Sequence, residues 1–119
     1  MKVADLSGAK LNFWVAKANG LKAVIEEIGG VDYCLEGDRC RMGYNPSSDW
    51  FQGGPIIERE DIRWQPTPLH KEAYYCWKNW ENVNEEPLCG EHGSTLLEAA
   101  MRCYVASKFG EEVQDVPPT

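Results

Sequence analysis

The stretch Thr95-Leu-Leu-Glu-Ala-Ala-Met-Arg-Cys-Tyr-Val-Ala-Ser-Lys-Phe-Gly110 decides the class of fold. Thr95 and Glu98 stand three residues apart and read as a capping box, whose two side chains each serve an orphan N–H of the first turn. Leu97, Ala100, Met101, Tyr104 and Val105 recur at helical spacing and make one wide apolar stripe. Gly110 stops the helix, and Lys108 sits favourably against its C-terminal dipole. Such a stripe must be covered, so the rest of the chain is read for what covers it.

A second amphipathic helix opens the chain. Ser7 is a good N-cap, Leu6 can staple onto Leu11, and Leu11, Trp14, Val15 and Ala18 fall on one face, away from Lys10 and Lys17. Asn19-Gly20 ends it. From Lys22 to Met42 the period shortens. Val24 to Ile28 suits a strand or one helical turn, and Gly29-Gly30 favours the strand because the pair fits a two-residue hairpin loop. Val31, Tyr33 and Leu35 alternate with Asp32 and Cys34, and Cys40 and Met42 with Arg39 and Arg41, giving an antiparallel meander. Ile62 to Gln65 and Tyr74 to Trp80 read as further strands, whereas Asn82 to Gly93 reads as an acidic, solvated loop. Trp14 and Trp64 are expected in the core.

These elements predict an α+β fold, two amphipathic helices on a small antiparallel sheet of about four or five strands. Residues 1–110 read as a single domain, and residues 111–119 as an acidic tail with Pro117-Pro118, too polar for the core. The 119 residues suit one domain, and 43% apolar with 26% charged residues is a globular composition. Twelve basic against nineteen acidic residues leave a net charge of −7, which disfavours nucleic acid and anionic membranes as partners. No apolar run approaches the roughly 20 residues of a bilayer span, and a charge interrupts the N-terminus before a signal-peptide core can build.

The five cysteines (34, 40, 76, 89 and 103) include no Cys-x-x-Cys pair and read as reduced, mostly apolar thiols. Cys89-Gly-Glu-His92 is at most half of a zinc site, so no metal and no cofactor is expected. His70 and His92, the two histidines, read as exposed loop residues. No nucleophile elbow, zinc-protease helix or phosphate loop of known pattern occurs.

The segment 45–58 holds the candidate site. Asn45, Ser47, Ser48, Asp49 and Gln52 gather hydrogen-bonding groups in what reads as a loop, with a short helical turn at Pro55–Glu60. Tyr44 and Trp50 offer flat faces, Gly53 and Gly54 would admit a ligand to backbone N–H groups, and Arg59 or Arg102 would add charge. That set suits a nucleotide-like small molecule. The same residues also read as architecture: Asx and ST turns, a capping Asp49 and a core-filling Trp50. A homodimer or a host-protein inhibitor is the alternative from the interaction class. A small hydrolase using Asp49 and Glu58 as acid and base is a further one.

Beyond composition, Tyr44-Asn-Pro-Ser-Ser-Asp-Trp-Phe-Gln-Gly-Gly-Pro-Ile-Ile-Glu-Arg-Glu60, Ala99-Ala-Met-Arg-Cys-Tyr-Val-Ala-Ser-Lys-Phe-Gly110 and Leu6-Ser-Gly-Ala-Lys-Leu-Asn-Phe-Trp-Val-Ala-Lys-Ala18 together carry a resemblance. The chain resembles the NinX family, small proteins of lambdoid phages and prophages that form a domain of unknown function. Two departures stand out: His92-Gly-Ser-Thr95 replaces the family's Gly-Pro-Thr-Pro-like entry to the last helix, and Tyr74–Gly90 is idiosyncratic. The resemblance implies a phage accessory protein made in the cytoplasm of a bacterial host. It carries over no catalytic residue and no cofactor.

Overall fold

In the computed structural model, which describes residues 1–78 and 89–115, the capping box at Thr95 is formed. Thr95 Oγ1 accepts from Glu98 N–H at 3.1 Å, while Glu98 Oε1 accepts from Ser94 N–H at 3.1 Å, one residue earlier than the usual reciprocal partner. The helix runs Leu96–Phe109 (α3) and ends at Gly110, whose φ of 85° lies in the region open to glycine. Burial exceeds the expected stripe. Ala99, Cys103, Ala106 and even Arg102 are also inside, which makes α3 the central element.

Helix α1 (Gly8–Ala18) follows a single 3-10 turn at Val3–Asp5. Leu6 and Leu11, the expected staple, are both fully buried, although the Ser7 side chain makes no capping bond. Strands β1 (Ala23–Ile28) and β2 (Val31–Glu36) form the expected hairpin. Ile28 faces Val31, and Gly29 and Gly30 take φ values of 62° and 83°, as a two-residue loop of type I′ demands. The strand expected around Cys40 shrinks to β3 (Met42–Gly43), because Gly37, at φ 115°, begins a turn that uses the residues up to Arg41.

A second sheet is built from β4 (Arg63–Pro66), β5 (Tyr74–Lys78) and β6 (Cys89–Gly93), in that order and antiparallel throughout. The fold is α+β, with two three-stranded sheets among the described residues in place of one. Helix α3 packs on β5, β6, α1 and α2, and α1 packs in turn on β1 and β2. The layers therefore run second sheet, α3, α1, first sheet, along a body of 45 × 29 × 27 Å.

Four expectations are corrected. The segment from Trp50 to Arg59 is a full helix (α2), started by Asp49, whose Oδ1 accepts from Phe51 N–H at 2.9 Å. Pro55 lies inside it, and the bond its missing N–H forgoes would belong to Phe51, which is 88% exposed and can leave its carbonyl to water. Cys89–Gly93 is a strand, not loop: glycines 90 and 93 have weak strand preference, yet Tyr75 lies over Gly90 and Gly93 fits under Ala99 where no side chain could. The expected strand end at Trp80 and the loop from Asn82 to Leu88 lie outside the described residues. Trp64 sits on the edge strand β4, half exposed, its ring 6.2 Å from Tyr74. Finally, residues 111–113 return along the N-terminus, with Val3 N–H on Glu111 O at 2.8 Å and Val113 packed against the core.

Cys34, Cys76 and Cys103 are buried. Burial pushes the Cys34 and Cys76 thiols up to about 12, with Glu36 adding to the effect at Cys34. Both behave as small apolar side chains.

Candidate functional site

Most of the polar groups between Tyr44 and Gln52 hold one another. Asn12, 4% exposed on α1, donates from Nδ2 to Asn45 Oδ1 at 2.9 Å and accepts from Ser47 N–H at 3.0 Å. Gln52 accepts from Asn45 N–H at 2.6 Å and donates to Gly43 O at 3.3 Å. Asn45 O takes the N–H groups of Ser48 and Asp49, and Asp49 O takes those of Gln52 and Gly53. Asn45, Asp49 and Gln52 are thereby committed to shaping the turn and starting α2.

What remains unspent faces outward. Ser47 is 6% exposed, and its hydroxyl has no partner among the described residues; the Ser48 hydroxyl has none either. Trp50 is 55% exposed. All three line a cleft of about 200 Å³ whose far wall is Thr95, Leu96 and Leu97, the first turn of α3. A second cleft, of about 260 Å³, opens on the other side of the segment against Gly8 and Ala9 of α1, with Tyr44, Asn45 and Ser48 among its lining.

Both candidate glycines, Gly53 and Gly54, lie within helix α2. Gly53 is buried inside α2, where a Cβ would collide with Pro46 O and stand 2.7 Å from Leu97 Cδ2. A Cβ on Gly54 would meet the Trp50 ring at ordinary contact distance, 3.6 Å. Arg59 lies at the opposite end of α2, where it donates to Glu60 at 3.0 Å, Asn19 at 2.8 Å and the Tyr104 hydroxyl at 3.1 Å. Its guanidinium is held charged chiefly by the bond to Glu60. Glu58 is nine helical residues from Asp49, or roughly 13 Å of rise, so the two carboxylates are not brought together. Arg102 is buried in the core and bound to Leu6 O, His92 O, Glu72 and Glu98. The structure thus gathers Ser47, Ser48 and Trp50 at one cleft and leaves Arg59 and Arg102 away from it.

Thr95, Leu96 and Leu97 were not among the sequence candidates. Their capping box announces a helix start, but nothing local says which segment it will face. Asn12 carries a weak signal, a polar residue beside Leu11 on an apolar face.

The histidines are not the independent loop residues expected. His92, on β6, stacks on His70 with ring centroids 3.8 Å apart and planes 11° from parallel. Burial, then the neighbouring His70, holds His92 below the usual histidine range, with Glu72 opposing. Among the described residues no three His, Cys, Asp or Glu groups converge as a metal site would require.

Fold and cleft together define a small α+β domain in which Ser47, Ser48 and Trp50 line a cleft at the start of two helices. The chain belongs to the family described as Bacteriophage P22, NinX, whose model matches residues 2–108, from the first 3-10 turn to the last turn of α3. No curated protein matches the chain. No helix among the described residues is long and apolar enough to cross a membrane.

Proposed function

We propose that this phage-family protein is a non-catalytic binding module, acting in the cytoplasm of the bacterial host, that takes a small nucleotide-like ligand at the Ser47–Trp50 cleft. The observation that carries the reading is an exposed tryptophan face beside two hydroxyls without partners, all on one concave surface. Stacking on an aromatic face needs only a flat ring, and free hydroxyls add direction. The test is a thermal-shift and NMR titration of the wild type and Trp50→Ala with AMP, a cyclic dinucleotide and NAD. A melting-temperature rise in the wild type that Trp50→Ala loses supports the reading. No shift with any of the three overturns it.

A second reading, a homodimer or host-protein contact, is favoured by the outer face of the first sheet. Ile28, Val31 and Tyr33 share that face by register and are all exposed, while Ile25 and Cys34 occupy the buried one. Contiguous exposed apolar side chains of this kind mark interaction surfaces. Light scattering decides the dimer form: a dimeric mass that Val31→Glu reduces to a monomer supports it, and a monomeric wild type removes it.

A further inference from the structure

We propose that the cleft between Ser47 and the first turn of α3 seats the phosphate group of its ligand. This rests on the nucleotide-like reading above and adds what holds the ligand's charged end.

Two helices of 10 and 14 residues begin at this cleft. At α3, Thr95 satisfies the N–H of Glu98, which leaves those of Leu96 and Leu97 without an intrahelical acceptor. At α2, Asp49 satisfies the N–H of Phe51 and leaves that of Trp50. Leu96, Leu97 and Trp50 all line the cleft. Each helix start also carries roughly half a positive charge.

Ser47 is the independent observation. Its backbone N–H is taken by Asn12, and the residue is 6% exposed, yet its hydroxyl finds no protein acceptor or donor among the described residues. That hydroxyl is not among the side-chain atoms sealed from solvent, so it opens to the cleft that Ser47 lines. Open to the cleft and unpartnered within the protein, that hydroxyl can donate there, and a phosphate oxygen is an acceptor that it and the orphan N–H groups share. Among the described residues no carboxylate or cation lines the cleft, and the nearby Asp49 carboxylate is occupied as the α2 cap. The anion is thus held by dipoles and hydroxyls. Trp50 stands on the same wall, where a ring attached to that phosphate would lie against it.

The experiment titrates the intact chain with AMP, adenosine and inorganic phosphate at constant ionic strength, following the amide resonances of Leu96, Leu97 and Trp50. AMP is expected to move all three amides, and adenosine to perturb the Trp50 indole but not Leu96 or Leu97. Ser47→Ala, which keeps the backbone bond to Asn12, is expected to weaken AMP about tenfold and leave adenosine unchanged. Ser48→Ala, at an exposed position, serves as a second variant should Ser47→Ala melt early, with a smaller loss in the same direction. If AMP and adenosine bind equally and neither serine variant matters, the phosphate seat is overturned while the ligand reading stands. If inorganic phosphate moves the Leu96 and Leu97 amides and AMP binds no more tightly, the seat stands and the nucleotide reading falls. Silence from all three probes overturns both.

Discussion

Gly53 packs so closely against Pro46 that a methyl group in its place would overlap the Pro46 carbonyl oxygen. This contact presses α2 onto the turn that shapes the cleft, with Leu97 of α3 immediately behind. Gly53→Ala should therefore cost at least about 2 kcal/mol, since backbone and a core leucine must both move. Gly54→Ala should act oppositely. Its new methyl would meet only Trp50 at 3.6 Å, and a helical glycine replaced by alanine gains about 0.5–1 kcal/mol. Urea unfolding of the two variants checks the pair, and a tolerant Gly53 would refute the packing.

Arg102 supports a different prediction. It reaches Leu6 O at 2.8 Å, His92 O at 2.8 Å, Glu72 at 2.7 Å and Glu98 at 3.3 Å, tying the N-terminus, β6 and the 70s loop to α3. Arg102→Met strands two carbonyls and two carboxylates and should destabilise by about 3–5 kcal/mol. Arg102→Lys should recover only part, because one ammonium cannot span the guanidinium's planar fork. Chemical unfolding midpoints of the three proteins give the answer.

These two residues also show what sequence could and could not carry. The hairpin at Gly29-Gly30 and the capping box at Thr95 were legible because both are local: backbone sterics and a three-residue spacing determine them. Helix α2 was not, since Gly53, Gly54 and Pro55 are poor helix formers and their tolerance comes from Pro46 and Leu97, distant in sequence. Strand β6 was hidden likewise, its glycines chosen for Tyr75 and Ala99 above them. Of the candidate site, Ser47 and Asp49 were readable as turn and cap chemistry, and Trp50 as a flat face or a core-filling side chain. That α3's first turn would form the opposite wall is tertiary, as is the burial that made Arg102 a strut instead of a ligand contact.

The stacked His70–His92 pair predicts a pH dependence. Burial and the proximity of His70 lower His92 below its ordinary value of 6.5, so protonation is easier in the unfolded chain. The stability this represents is complete above pH 6.5 and is lost as the pH falls through the lowered value. The melting temperature of the wild type should decline between pH 7.5 and 5.5, and His92→Asn should flatten that decline. An unchanged slope in the variant would assign the dependence elsewhere.

Glu91, next to His92 but on the other face of β6, predicts the opposite sign. Burial raises its carboxyl above the ordinary 4.5; Arg102 opposes this, and Glu111, Glu72 and Asp5 reinforce it. The folded protein therefore holds this proton more tightly than the unfolded chain does. Its contribution to stability is complete below pH 4.5 and is lost as the pH rises through the raised value, leaving a penalised charge at neutrality. Glu91→Gln keeps the shape and removes the charge. At pH 7 the variant should melt above the wild type, and the advantage should shrink as the pH is lowered and vanish below about 4.5. Melting curves of both proteins from pH 4 to 7.5 test it; a variant less stable than wild type at pH 7 would mean that Arg102, not burial, dominates at this carboxylate.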